Sequence, residues 1–364
     1  MRSSFPLILG VMVFLSVPAE ADDPSFLSKL HDVSTVVSTV PGNGDVNPYG
    51  VAIVPTTTGS LIANRVLVSN FNNVANLQGT GTTIVQISPN GDQKVFAHID
   101  ATSLPGTCPG GVGLTTALVA LRSGFVIVGS LPTSDGTAAT AKAGCLIILN
   151  SSGIPVATVS GNGINGPWDM TALDMGTAAV LFVTNVLNGT VAANGAVTSQ
   201  GSVLRIVLSI PLSGKPTAAS FTTIASKFQE RTDPAALVIG PTGLGLGADH
   251  TLFVADTLQS RIAAIPDAVL RATDAGEGVT LAQGRALKQP LGLAIAPNGN
   301  ILTVNGGDGL MVETTVGGRQ VGARFVDVSH SRNGAGTLFG LAVAPNGNGV
   351  YFVDDGNNTL NVLR

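Results

Sequence analysis

Apolar residues in this chain fall into short runs separated by polar turns, and the runs recur in a fixed order. The first of each set mixes small and large residues: NPYGVAI (47–53), CPGGVGL (108–114), GPWDMTA (166–172), GPTGLGL (240–246), QPLGLAI (289–295) and LFGLAVA (338–344). A polar turn follows, then a more continuous apolar run: RVLVSN, FVIVGS, LFVTN, LFVAD, ILTVN and YFVDD. A third run is visible in TTIVQIS, GCLIILN, SVLRIVLS and RIAAI, and a more variable fourth in QKVFAHI and PVATVSG. Runs this short, bounded by Gly, Pro, Asn and Asp, predict strands rather than helices. Their order predicts a four-stranded antiparallel meander, repeated six times at intervals of about 50–75 residues.

Strands that are apolar along most of their length need cover on both faces. An isolated meander cannot supply it, whereas sheets packed side by side around an axis can. The small residues of GLGLG, GVGL and GLAIA suit innermost strands, which crowd together near that axis. The turns PNGN (297–300) and PNGNG (345–349) combine Pro with Asn-Gly, and GADHT holds His250 in an equivalent surface turn. The last unit stops at TLNVLR, one strand short, while HDVSTVVSTVPG (31–42) alternates like a strand and belongs to no unit. Residues 33–40 are therefore expected to complete the last blade, leaving no open sheet edge. The prediction is an all-β, six-bladed β-propeller forming one domain over 22–364. Its four-stranded blades lie near 47–100, 108–160, 166–226, 240–284, 289–329 and 338–364.

Composition narrows the setting. Of 364 residues, 44% are hydrophobic and 11% charged, against roughly a quarter charged in ordinary soluble domains. The net charge of −4 and the lack of any basic run argue against a nucleic-acid partner. Residues 1–21 carry Arg2, the apolar run FPLILGVMVFLSV and then PAEA, which reads as a signal peptide cut after Ala21. That run is short of the ~20 residues needed to span a bilayer, so an exported protein, periplasmic or secreted, is expected, with no membrane span after cleavage. It is expected to be monomeric. In an oxidising compartment the two cysteines, Cys108 and Cys145, favour a disulfide, the alternative being two unrelated buried thiols.

The segment Pro241 to Ile262 fits a P-x-G-h-A-h-x-P-x-G-x-h-h-V-x-D-x-x-x-x-R-I pattern, where h is apolar, and so resembles the NHL repeat. The fifth and sixth units also match well and the first and second fairly; the third departs, with Asp169 where Gly is expected. The resemblance covers essentially the whole mature chain. It implies the propeller fold, which serves binding platforms, lactonases, lyases and scaffolds alike.

Propellers of this kind place ligands at one end of the central channel, which directs attention to two rings of residues. The variable position of the P-x-G turn contributes Tyr49, Gly110, Trp168, Thr242, Leu291 and Phe339. Tyr49, Trp168 and Phe339, with Asp169 beside the lone Trp, could form a recognition patch for a sugar, peptide or apolar ligand, or a plug that fills the mouth. The second ring closes each second strand: Asn70, Ser130, Asn185, Asp256, Asn305 and Asp355. In NHL-like repeats such residues bond the backbone of nearby loops. Their oxygens could also hold Ca²⁺ or another divalent cation, with Asp256 and Asp355 as candidate ligands. The long loops 71–82, 131–144 and 186–201 would cover this face, and Glu230, Arg231 and Asp233 form the dense charge cluster near it, either as a solvated rim or as part of a site.

Similarity to lactonase-like propellers would imply a Glu near the axis, an Asn after the turn Pro and an Asp ending the next strand. Here Thr242 stands in the Asn place, Asp256 is kept, and no Glu is offered. Similarity to streptogramin-lyase-like propellers would require a channel His, whereas His31, His98 and His330 fall at strand ends or links. No metal-binding His/Cys spacing, nucleophile elbow or phosphate loop occurs. The expectation is a module that binds a small molecule, glycan or protein on its loop-rich face. The rival readings are a divalent-metal-dependent lactonase-like hydrolase or lyase, and a purely structural surface protein.

Overall fold

In the computed structural model, residues 25–329 and 336–364 are described; the expected signal segment and His330 lie outside them. Six antiparallel sheets surround one axis. Blade 1 is built from Val46–Ile53, Val66–Asn72, Thr83–Ile87 and Gln93–His98, and blade 2 from Leu114–Ala120, Val126–Ser130, Cys145–Leu149 and Pro155–Val159. Blade 4 comprises Pro241–Leu246, Leu252–Asp256, Arg261–Ile265 and Val279–Gln283, and blade 5 Pro290–Ile295, Ile301–Asn305, Leu310–Thr314 and Gln320–Phe325. Blade 6 holds Leu338–Val343, Val350–Asp354 and Thr359–Leu363, and takes its outer strand, Val33–Ser38, from the other end of the chain. That strand pairs antiparallel with the last one, from Val33 opposite Leu363 to Ser38 opposite Thr359. The ring closes as the alternation of residues 33–40 implied.

Two blades depart from the sequence expectation. Blade 3 consists of Pro167–Asp174, Ala178–Asn185, Thr198–Ser209 and the long Thr217–Asp233, and adds a fifth strand, Leu237–Ile239. In blade 2 the innermost strand is Leu114–Ala120, not the CPGGVGL segment. Cys108 to Gly113 form a link ahead of it, and Cys108 is bridged to Cys145 with Cα atoms 5.2 Å apart. The bridge ties this link to the end of the 131–144 loop, since Gly110 N also donates to Ala143 O. The Gly-Gly pair that imitated a P-x-G turn is therefore part of a stapled link.

Packing explains the composition. Every residue of Cys145–Leu149 and of Arg261–Ile265 is buried, because neighbouring blades cover both faces of these strands. Innermost strands of adjacent blades touch all the way around the ring. At the Gly of the P-x-G turn this contact leaves no room for a side chain: a Cβ at Gly340 would collide with the Tyr49 carbonyl, and one at Gly292 with the Phe339 carbonyl. His250 is exposed in its turn with φ of 66°.

Residues 25–30 fold back onto blade 5. The carboxylate of Glu313 accepts from Phe26 N at 2.9 Å, Leu27 N at 2.8 Å, Asn298 Nδ2 at 3.0 Å and Asn300 Nδ2 at 2.7 Å. Burial works against its charge, yet hydrogen bonds from Asn298, Ser25 and Asn300 hold its carboxyl below the usual range. Nothing in the one-dimensional pattern singles out Glu313, whose partners come from two separate segments, 25–27 and 298–300.

Candidate functional site

The channel has two ends, and they differ. At the loop face, where links enter the innermost strands, the first ring of candidates is buried, except Gly110, which is half-buried on the link before blade 2. The Tyr49 ring stacks on Phe339 with centroids 3.9 Å apart and on Phe71 at 4.5 Å. Trp168 lies 6.4 Å from Tyr49 and 6.2 Å from Phe339. Leu291 joins the same apolar cluster, as do Ala236, Leu237, Val238 and Ile239 from the segment after the long blade 3 strand. That segment is the fifth strand, paired with Arg231–Asp233, and its Val238 carbonyl accepts a hydrogen bond from Trp168 Nε1 at 3.1 Å. Thr242 is fully buried, its hydroxyl 2.8 Å from that of Thr257 and 3.1 Å from Ala255 O. Burial raises the Tyr49 phenol well above its ordinary value, with Asp355 adding to the effect. These residues form a stacked plug, covered by an insertion that sequence periodicity could not place.

The second ring braces the blades. Asn70 Nδ2 donates to Thr39 O, Ser130 Oγ to Gly111 O, and Asn305 Nδ2 to Ala286 O, while Asn185 Oδ1 accepts from Asn165 N. Each of these partners lies on the link leading into that residue's own blade. Strand register gives the sixth place to Asp354, opposite Leu338 as Asp256 is opposite Pro241, rather than to Asp355. Asp354 Oδ2 accepts from Val328 N at 3.0 Å and Ser329 N at 2.9 Å. Its carboxyl is lifted to about 6 by burial and by Asp327 beside it. Asp355, one residue on, is half-buried and lines a polar hollow of about 510 Å³ with Asn47, Asn72 and Gln78. Burial, then the charges of Asp354 and Asp327, push its carboxyl to about 8.

Asp256 is bound internally. Its Oδ2 takes a 2.8 Å ion pair from Arg261 Nε; that guanidinium is 2% exposed, bonds Thr280 Oγ1 and the Glu277 carbonyl, and sits over the Phe228 ring at 5.9 Å. A cation site built on Asp256, Asp355 and the Asn ring does not fit these positions. Asp256 is already matched by a buried guanidinium and Asp355 lines a separate hollow, although the Oδ1 atoms of Asn70, Asn305 and Asp256 are buried without a hydrogen-bond partner. Among the described residues no group of three or more His, Cys, Asp or Glu is placed to hold a metal. Of the charge cluster, Arg231 and Asp233 pair at 3.2 Å, while Glu230 is buried rather than at a solvated rim. Burial lifts its carboxyl to about 8, with Thr198 and the Asn188 backbone offsetting only part of that cost.

The open end lies opposite, at the face of the hairpins joining first and second strands. Along the innermost strands exposure grows in that direction: Leu341 is buried while Ala342 and Val343 are half-buried, and Leu293, Ala294 and Ile295 repeat the trend. The channel there has a volume of about 370 Å³ and is walled by innermost strands of all six blades, chiefly by Val, Ile, Leu, Ala and Gly. Asp169 stands at its inner end, directly below the plug. Where blades 1, 4, 5 and 6 use Gly to let strands meet, Asp169 bridges to the next blade, its Oδ2 accepting from Leu244 N at 2.9 Å. Its amide donates to Thr184 Oγ1, which donates to Thr242 O. Desolvation raises the Asp169 carboxyl to about 7 despite the hydrogen bonds from Leu244 and Met170. Asp174 marks the outer rim, paired with Arg122 at 3.5 Å.

No family model matches the chain, and no curated protein matches it. Solved structures do. A gluconolactonase from Xanthomonas campestris aligns with a TM-score of 0.56 at 13% identity, covering 95% of this chain and 96% of that one. A luciferin-regenerating enzyme aligns at 0.57 and 13% identity, covering 91% and 94%. The calcium-binding protein regucalcin from Agrobacterium tumefaciens aligns at 0.53 and 12%, covering 90% and 93%. At such identities the likeness is one of fold, and the six sheets of this chain share the propeller architecture of those proteins.

Proposed function

We propose that the protein is a binding propeller whose small, largely apolar ligand enters the axial channel from the hairpin face. The observation that carries this reading is the contrast between the two ends of the channel. The loop-face mouth is filled by Tyr49, Trp168, Leu291 and Phe339 and covered by residues 236–239, whereas the other end keeps a cavity of about 370 Å³, in the range of small-ligand sites. The Cys108–Cys145 bridge supports export to an oxidising compartment. A divalent-metal-dependent lactonase-like hydrolase or lyase is the weaker alternative, because Asp256 is neutralised by the buried Arg261 and, among the described residues, no group of three or more His, Cys, Asp or Glu is placed to hold a metal.

The test pairs thermal shift with calorimetry. Short-chain alcohols such as 1-hexanol should bind the wild type, and Ala342→Trp, which fills the channel, should abolish that binding without lowering the melting temperature greatly. Ca²⁺, Mg²⁺ and EDTA should leave the melting temperature unchanged. A Ca²⁺-induced rise that disappears in Asp256→Asn would return the metal-dependent reading to first place.

A further inference from the structure

We propose that Asp169 is the anchor for a ligand ammonium group, so that the channel selects a small monocationic amine with an apolar body. This rests on the channel being the binding site and names the ligand class for it. Three observations carry it. Asp169 is the carboxylate at the inner end of an otherwise aliphatic tube, and no Lys, Arg or His lines the channel among the described residues. Its carboxylate receives only neutral main-chain donors, from Leu244 and Met170, which leaves the negative charge without a countercharge. Only Thr116 and Thr171 add polar side chains to the wall besides Asp169 and the rim residue Asp174.

An apolar cavity holding one unpaired carboxylate is complementary to a ligand of one positive charge and an alkyl or aryl body. An anionic ligand would face charge repulsion in a low-dielectric space, and a neutral one would leave the carboxylate desolvated without compensation. Five residues separate Asp169 from Asp174, roughly 16 Å along an extended strand, so the apolar body points from the anchor toward the hairpin face. Arg122 already engages Asp174 at that rim, which favours a ligand charged at one end only.

Isothermal calorimetry at pH 8, above the value of about 7 reached by the Asp169 carboxyl, provides the test with hexylammonium, 1-hexanol and hexanoate as probes. Hexylammonium should bind at least about tenfold more tightly than 1-hexanol, the factor expected of one charge-assisted contact, and hexanoate should not bind. Asp169→Asn keeps an acceptor for Leu244 N and should remove the preference while 1-hexanol still binds. Equal binding of hexylammonium and 1-hexanol by the wild type, or a preference that survives Asp169→Asn, would overturn the ammonium assignment and leave the channel reading standing. Failure of every probe to bind the wild type would overturn both.

Discussion

Replacing Trp168 by Ala asks whether the aromatic group at the loop face is a plug or a recognition surface. The indole is 2% exposed, lies among Tyr49, Phe339 and the 236–239 segment, and donates to Val238 O at 3.1 Å. Truncating a buried Trp to Ala costs about 3–5 kcal/mol, and leaving the Val238 carbonyl without its donor adds about 1 kcal/mol. The sum is about 5 kcal/mol. For a cooperative domain of this length, with an unfolding entropy of roughly 2.1 cal/mol/K per residue, that corresponds to a fall in melting temperature of roughly 7 °C. Far-UV circular dichroism suits the measurement, since it does not depend on the lone Trp. Trp168→Phe, which keeps a ring but loses the hydrogen bond, should fall by less than half as much. If Trp168→Ala melts within about 1 °C of the wild type, the mouth is not packed as described, and the argument that ligands must use the other end fails with it.

Other expectations follow from the same geometry. Removing the Cys108–Cys145 bridge, which closes a separation of 37 residues, should cost about 4 kcal/mol in the chain-entropy treatment, read as a lower melting temperature in Cys145→Ser or under reductant. Asp256→Asn leaves the buried Arg261 guanidinium with only the half-exposed Glu277 carboxylate as countercharge and should destabilise by up to about 3 kcal/mol; adding Arg261→Met should recover much of the loss, as urea titrations of the single and double variants would record. The pH dependence has a defined sign at Asp169. Its folded value is raised to about 7, so the stability it contributes is present below about pH 4 and is lost as pH rises through 7. Asp169→Asn should therefore match the wild type near pH 4 and exceed it at pH 8 by up to about 4 kcal/mol, which melting curves across that range would test.

Much of this was legible in one dimension because a propeller writes its geometry locally. Strands covered on both faces must be apolar along their length, and innermost strands must carry small residues, so the six sheets could be read from runs such as RVLVSN and PLGLAI. The closing strand near Val36 was legible for the same reason: a last blade one strand short needs a partner. Local resemblance and spatial role part in two places: CPGG resembles an inner turn but belongs to a stapled link, and Asp355 ends the run YFVDD while Asp354 holds the register position.

What only the tertiary structure decided is which end of the channel is open. Sequence alone determined that Tyr49, Trp168 and Phe339 share a ring and that Asp169 replaces a Gly, because both follow from repeat phase. Whether those aromatics face solvent or one another depends on residues 236–239, which reach them from the far end of a long strand and obey no repeat. Exposure is a property of what packs on top, and that cover comes from distant segments whose contacts periodicity does not encode. The same holds for Asp256, whose charge could be read as a ligand until the buried Arg261 was seen to meet it.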